Sequence, residues 1–211
     1  MKSKKYYVPA LVFSGLFCMA VLNGCASGDN SASSNEANPS VQDTQAGSNS
    51  AENASDSFAL GDFSMQDIHG ETYTQEMFAD YDLTMVNVFT TWCSPCINEI
   101  PDLEQLKNEM EDQGVTVVGI ALDTINSQGG ADSDAVEKAK LLAETTEVTY
   151  PFLIPDAGYL NGRLAGIQAV PETFFVDKEG NIVGETYSGS RSLEEWKRIV
   201  ETELNGVIAL N

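Results

Sequence analysis

The stretch that decides the fold reads TTWCSPCINEIP, residues 90–101, and it places two residues between Cys93 and Cys96. Two cysteines at this spacing can bind a metal, close a short loop or exchange electrons with a partner. The flanking sequence indicates where in a fold the pair lies. The run LTMVNVF before it, residues 83–89, is short, apolar and rich in β-formers, which predicts a buried strand.

Helical periodicity begins at the cysteine pair. Apolar residues recur along one face over residues 93–113, and Gly114 follows as a C-cap glycine would. Cys93 is therefore predicted at a helix N-terminus, where unpaired amides and the helix dipole stabilise a thiolate. Pro95 is tolerated in the first turn, because its missing N–H has no partner to lose. Cys96 lies one turn on, within reach of a disulfide, so an exposed Cys93 should attack and Cys96 should resolve.

The first 25 residues resemble the export signal of a bacterial lipoprotein. Three lysines and no acid precede an apolar run over residues 8–22, and these fifteen residues are too few to span a bilayer comfortably. The run ends in LNGC, which resembles a lipobox, where the chain is cut before the cysteine. We expect residues 1–24 to be a signal peptide and a lipid on Cys25 to tether the protein outside the cytoplasm, on the bacterial cell membrane. The alternative is an ordinary N-terminal membrane anchor.

The segment after Cys25 has the composition of a linker. Residues 26–57 are rich in Ser, Ala and Asn and contain no aromatic and no basic residue. Such a segment cannot bury enough apolar surface to offset its ordering entropy, so residues 25–57 are predicted to be a lipidated, disordered linker that spans roughly 30 Å. Residues 58–211 remain as one domain, of a size that supports a hydrophobic core.

Net charge limits the partners. The chain carries 11 basic and 32 acidic residues, a net charge of −21, and loss of the signal peptide with its three lysines would make this −24. An acid excess of this size argues against nucleic acid or anionic lipid as a direct partner.

The number of free thiols limits the chemistry. Cys18 leaves with the signal peptide and Cys25 is lipidated, so Cys93 and Cys96 remain. A structural zinc site needs about four Cys or His ligands, and His69 is the single histidine of the chain. A structural disulfide over so short a loop would remove little chain entropy. Exchange chemistry is therefore favoured, with no metal and no organic cofactor.

Strand and helix patterns alternate after Gly114, which predicts a layered α/β fold. Strands are predicted over residues 115–122, 150–154, 173–176 and 182–187, and helices over 134–146, with Asp134 as N-cap, and from Ser192 onward, with a capping box. Residues 58–74 are predicted to contain a hairpin with His69 in its turn, and residues 126–133 form a surface loop.

The strand, WCSPC, the helix and the later run VPETFFVD, residues 170–177, together resemble a thioredoxin fold, and WCSPCINEIP resembles its TlpA/ResA-like branch. The resemblance covers about residues 58–205. It implies a central mixed β-sheet flanked by helices, with an N-terminal β-hairpin extension and a central insertion. It also implies a cis Val170–Pro171 bond beside the disulfide and substrate contacts at Trp92, Val170 and Pro171, the Val170 backbone binding substrate as an added strand.

Three positions can be compared with the pattern of this family. Where thioredoxin has a buried aspartate, six residues before the first active cysteine, this chain has Asn87. ResA-like proteins carry a glutamate three residues after the second cysteine, and Glu99 matches it. The resemblance therefore implies that Glu99 accepts the Cys96 proton, whereas spacing alone favours a solvated carboxylate. Glu172 stands where many relatives have threonine.

The resemblance implies an extracytoplasmic thiol–disulfide oxidoreductase that works as a reductase through a redox-active Cys93–Cys96 pair. A membrane thiol donor of the CcdA or DsbD type would keep this dithiol reduced. Its partners would be client proteins with disulfides, such as apocytochrome c or an extracytoplasmic methionine sulfoxide reductase.

Two alternatives stay open. A peroxiredoxin-like peroxidase would carry Pro-x-x-x-Thr-x-x-Cys; Thr90 fits, but Val86 occupies the proline position. A non-catalytic surface binding module would hold an inert disulfide, which would not equilibrate near glutathione potentials. A c-type cytochrome is excluded, because Ile97 stands where a histidine must follow the second cysteine.

Overall fold

The computed structural model of the protein describes residues 59–210, except for the side chain of Leu210. The predicted signal peptide over residues 1–24, the lipidated Cys25 and the linker up to residue 57 lie outside the described residues. None of the helices within residues 59–210 combines the length and hydropathy that a membrane span requires.

A five-stranded mixed sheet forms the centre of the domain. Its strands are β3 (Leu83–Phe89), β4 (Val115–Ala121), β5 (Phe152–Leu153), β6 (Glu172–Asp177) and β7 (Ile182–Ser188). They lie in the order β5–β4–β3–β6–β7. The central strand β3 pairs parallel with β4 and antiparallel with β6, while β5 runs parallel to β4 and β7 antiparallel to β6. The predicted fold class is confirmed.

The N-terminal hairpin is present and extends the edge of this sheet. Strands β1 (Ser64–Gln66) and β2 (Thr72–Thr74) pair antiparallel. The Asp67 carboxylate closes their turn by accepting from the backbone N–H groups of His69 (2.9 Å) and Glu71 (2.8 Å). The Ile154 N–H donates to the carbonyl of Gln66 over 2.8 Å, which joins β1 to the chain after β5. His69 is thus an exposed turn residue, as predicted.

The helices begin and end close to the predicted positions. They are α1 (Ser94–Met110), α2 (Ser133–Thr146) and α3 (Leu193–Leu210). A short 3₁₀ turn continues α1 to Gly114, whose φ of +78° suits a residue without a Cβ. The expectation of Asp134 as N-cap of α2 is wrong. Asp132 caps the helix instead, because its carboxylate reaches the N–H groups of Asp134 (3.1 Å) and Ala135 (3.0 Å).

The start of α3 keeps the predicted Ser192–Glu195 pair, with one difference from a full capping box. The Glu195 carboxylate accepts from both the backbone N–H (3.0 Å) and the hydroxyl (2.7 Å) of Ser192. The hydroxyl therefore donates to the carboxylate and does not accept from the helix amides.

Alternate residues of each strand face two separate parts of the core. Met85 and Phe89 of β3 lie in a cluster with the apolar faces of all three helices. Val86 and Val88 lie in a second cluster, which the N-terminal segment and the turns between β5 and β6 complete. Asn87 shares the β3 face of Met85 and Phe89, so its polar side chain is directed toward α1.

Candidate active site

The cysteine pair lies between the end of β3 and the first turn of α1. Cys93 is the N-cap residue of α1, and a disulfide joins it to Cys96, with the two Cα atoms 5.3 Å apart. The Cys96 N–H points at the Cys93 sulfur over 3.3 Å, and Pro95 occupies the first turn as predicted. An amide directed at the sulfur, together with the helix dipole, favours a thiolate on Cys93 once the bond is reduced.

Burial differs between the two sulfur-bearing residues by less than expected. Cys93 is 6 % exposed and Cys96 is fully buried, at 0 %. Cys93 is therefore not the exposed residue that its place at a helix start suggested, because it belongs to the apolar cluster between the sheet and the helices, against which Val170 also packs. It is still the member of the pair with solvent-accessible surface, so a partner can reach only this cysteine from outside.

The Val170–Pro171 bond is cis, as predicted, and it lies beside the disulfide. The Val170 carbonyl oxygen is 3.7 Å from the Cys93 sulfur. Pro171 immediately precedes β6, and its carbonyl accepts from the Gly189 N–H over 2.9 Å. Half-buried Val170 therefore presents its backbone next to the cysteine that a partner would meet.

The residues before Cys93 are held in place by Asp123. The Asp123 carboxylate accepts from the Thr91 hydroxyl (2.6 Å) and from the Thr91 N–H (3.0 Å). Trp92, between Thr91 and Cys93, is 72 % exposed. A fixed backbone thus carries a large aromatic surface next to the disulfide, available to a partner.

Glu99 is buried, one helical turn beyond Cys96. It is only 3 % exposed, and its Oε1 accepts from the indole Nε1 of Trp196 (2.6 Å) and the backbone N–H of Arg191 (2.7 Å). Its Oε2 accepts from Asn87 over 3.4 Å. Burial raises the pKa of the Glu99 carboxyl above its ordinary value, and these three donors and the Arg191 charge offset part of that rise.

Two of the groups around Glu99 were not singled out from the sequence. Trp196 is fully buried in α3, and the Arg191 guanidinium lies 5.0 Å from the centre of its ring. Asn87 also donates to the Thr173 hydroxyl over 3.0 Å, which connects β3 and β6 beneath the site. Nothing in the local pattern near Glu99 indicates Trp196 or Arg191, since both come from the far end of the chain.

Glu172, directly after Pro171, forms an ion pair with Arg163 at 3.0 Å. The Arg163 guanidinium also lies over the ring of Phe174, 4.1 Å from its centre. The negative charge of Glu172 is therefore balanced beside the cis bond. A long turn between β5 and β6 supplies the arginine.

A groove of about 340 Å³ opens beside α1 on the Glu99 side, lined by Ser94, Pro95, Asn98, Glu99, Asp102, Ser190 and Arg191. Because Glu99 lines this groove, its buried carboxyl has an opening toward solvent. Within residues 59–210, no three or more His, Cys, Asp or Glu side chains come together as a metal site would require.

Comparison with known proteins gives consistent matches. The model of the AhpC/TSA family matches residues 59–184. Thioredoxin-like protein YneN of Bacillus subtilis (strain 168) is 25% identical over 142 residues, 67% of this chain and 76% of that protein. Thiol-disulfide oxidoreductase ResA of Geobacillus thermodenitrificans is 27% identical over 143 residues, 67% and 74% of the two chains. The crystal structure of a thioredoxin-family thiol:disulfide interchange protein from Chlorobium tepidum TLS aligns with a TM-score of 0.57 and 28% identity, over 70% of this chain and 97% of that one.

Proposed function

This chain belongs to the AhpC/TSA family of thioredoxin-like proteins and is a thiol–disulfide oxidoreductase of the ResA type, and from that premise we propose that it reduces client proteins through Cys93 and Cys96. The observation that carries the proposal is the position of Cys93. It caps α1, it keeps the only accessible surface of the pair, and the Val170 carbonyl lies 3.7 Å from its sulfur.

The reaction transfers two electrons to the client. The Cys93 thiolate attacks one sulfur of a client disulfide, a mixed disulfide forms, and the other client sulfur leaves as a thiolate. Cys96 then loses its proton and attacks the Cys93 sulfur, which breaks the mixed disulfide and releases the second client thiolate. The client ends as a dithiol, and the protein ends with the Cys93–Cys96 disulfide that the structure contains.

Glu99 accepts the Cys96 proton in this scheme. Its carboxyl lies one turn from Cys96 on the buried side of α1, and its raised pKa makes it a stronger base than a solvated carboxylate. Trp196 and Arg191 hold its Oε1 by two short hydrogen bonds, so the acceptor is positioned before the reaction begins. The groove beside α1 offers a route by which the proton then reaches water.

The client backbone pairs with Val170, and the client surface contacts Trp92 and Pro171. An extended segment at this place would receive main-chain hydrogen bonds while its disulfide sulfur approaches Cys93. Apocytochrome c and an extracytoplasmic methionine sulfoxide reductase are the clients that we propose. A membrane thiol donor of the CcdA or DsbD type would return the protein to its dithiol form.

The protein acts outside the cytoplasm, bound to the bacterial membrane by lipid on Cys25. This part of the proposal rests on the charged start, the short apolar run and LNGC of the sequence. A linker over residues 25–57 would let the domain reach membrane-bound and soluble partners alike.

Trapping of mixed disulfides tests the proposed reaction. Cys96→Ala removes the resolving thiol, so client proteins should remain bound to Cys93 through a mixed disulfide. They should appear on non-reducing gels as adducts that are separated by reduction with dithiothreitol. Cys93→Ala is the matched control, since it keeps one thiol but loses the attacking one. Equal trapping by both variants would show that Cys93 is not the nucleophile.

Peroxidase activity is the second candidate function, and the environment of Thr90 is the observation that favours it. The Thr90 hydroxyl is buried, it has no hydrogen-bond partner among the described residues, and its carbonyl accepts from the Cys93 N–H over 3.2 Å. Consumption of hydrogen peroxide by the reduced protein at a rate above that of free cysteine would support this candidate, and a rate no greater would exclude it.

A further inference from the structure

A second groove lies along α2 and reaches Thr91, two residues before Cys93. It has a volume of about 290 Å³ and is lined by Thr91, Lys138, Leu141, Leu142 and Thr145. Four of these residues belong to α2 at spacings that place them along one stripe of the helix. We call this feature the α2 groove.

The α2 groove exposes apolar surface next to the redox site. Leu141 is 63 % exposed and Trp92, which follows Thr91, is 72 % exposed. They are two of the four large apolar side chains that are exposed in residues 59–210. A single exposed leucine would need no explanation, but two exposed apolar side chains around Thr91 indicate a binding surface.

Thr91 connects the groove rigidly to the disulfide. It lines the groove and stands two residues before Cys93. Its hydroxyl and its N–H both donate to the Asp123 carboxylate, which fixes its position. A molecule in the α2 groove is therefore held at a defined distance from the cysteine that attacks.

Lys138 places a positive charge at the rim of the groove. It has no ion pair among the described residues, whereas Lys140, two residues on, pairs with Glu137 at 2.7 Å. In a chain with a net charge of −21, an unpaired lysine beside apolar surface favours a carboxylate from a partner.

We propose that the α2 groove docks the client polypeptide, accepting one large apolar side chain near the client's reactive cysteine while Lys138 pairs with a client carboxylate close by. The proposal rests on the reductase function proposed above. A volume of about 290 Å³ lies just below the range of sites that enclose whole small molecules, and it suits a side chain. The groove thus selects among disulfides that Cys93 could otherwise attack equally.

Two synthetic peptides of equal length test this proposal. Each carries one cysteine as a mixed disulfide with thionitrobenzoate; one has Leu and Asp near the cysteine, and the other has Ser and Lys at the same places. Release of thionitrobenzoate, followed by absorbance, gives the rate of attack by Cys93. The reduced protein should react faster with the Leu/Asp peptide, and Leu141→Ser or Lys138→Glu should lower that rate about fivefold to tenfold.

Matched controls separate docking from general effects. Ile208→Ser and Lys178→Glu make the same chemical changes at exposed residues outside the groove and should keep the wild-type rates. The small disulfide dithiobis(nitrobenzoate) should react equally with all variants, since it needs no docking. If the wild-type protein does not react with it, the reductase function itself is wrong. If it does react but groove variants and controls attack both peptides at the wild-type rate, the docking proposal is overturned.

Discussion

Replacement of Glu99 by glutamine removes the proposed proton acceptor and keeps the volume of the side chain. The glutamine carbonyl can accept the bonds that the indole of Trp196 (2.6 Å) and the N–H of Arg191 (2.7 Å) now donate to Oε1. The amide of Asn87 can rotate to offer its oxygen to the new NH₂ group. We therefore expect Glu99→Gln to fold normally and to change only the chemistry at Cys96.

The size of the effect follows from the role of a general base, which contributes about 10²- to 10⁴-fold to a rate. We expect a value near the lower end, about 10²-fold, because the groove beside Glu99 admits water that can accept the proton in its place. The raised pKa of Glu99 acts in the opposite direction and keeps the loss of rate from being smaller. It brings the proton affinity of the carboxyl closer to that of a thiol than an ordinary glutamate would have.

Stopped-flow reaction of the reduced protein with dithiobis(nitrobenzoate) measures this step directly. Attack by Cys93 releases the first thionitrobenzoate, and attack by Cys96 on the resulting mixed disulfide releases the second. Glu99→Gln should leave the first phase unchanged and slow the second about 10²-fold near neutral pH. Glu104→Gln is the matched control, a buried glutamate of the same helix that accepts from the Thr149 N–H (2.9 Å) and hydroxyl (2.7 Å).

Two results would refute the role of Glu99. The first is a second phase of Glu99→Gln that runs at the wild-type rate at every pH from about 6 to 9, since a lost general base must show in that range. The second is an equal slowing by Glu104→Gln. Removal of any buried charge from α1 would then explain the effect, and the position beside Cys96 would not.

Cys25→Ser should move the protein from the membrane fraction to the soluble fraction and leave its reaction with dithiobis(nitrobenzoate) unchanged; retention on the membrane would contradict lipidation. The raised pKa of Glu99 predicts a pH dependence of stability. Because its stabilising contribution is complete below the ordinary pKa of 4.5 and is lost as pH rises through the raised one, the unfolding free energy of the wild type relative to Glu99→Gln should fall as pH rises above 4.5. The same pH dependence of the unfolding free energy in both proteins, measured by urea titration, would contradict this prediction. Tyr187→Phe removes the hydroxyl that donates to Glu203 over 2.7 Å and should cost about 1–2 kcal/mol in urea unfolding. Burial and the hydrogen bond to Glu203 raise the pKa of Tyr187 to about 12, so a spectrophotometric titration of the variant should lose one high-pKa tyrosine and keep that of buried Tyr150, whose pKa is also raised. Tyr159→Phe, at an exposed ring, is the control and should leave stability unchanged.

Local patterns were sufficient for most of the framework of this protein. The apolar run before the cysteines, the helical spacing after them and Gly114 are signals within one element, so β3 and α1 could be predicted from neighbouring residues alone. The start of α2 shows the limit of such signals. Two aspartates flank Ser133, and only the reach of the Asp132 carboxylate to two helix amides decides between them. The cis bond at Val170 followed from family resemblance, because composition and spacing carry no sign of it.

Neighbouring residues alone predicted the Cys93–Cys96 pair at the start of a helix that follows a buried strand, because the signals for strand, cysteine pair and helix lie in consecutive segments of the chain. The environment of Glu99 was decided only by the tertiary structure. On spacing alone this carboxylate belongs to a solvated face, yet α3 packs against α1 and buries it under Trp196, 97 residues away in the chain. Burial, hydrogen-bond donors and the resulting proton affinity depend on groups from distant segments meeting in space, and no local period in the sequence contains that information.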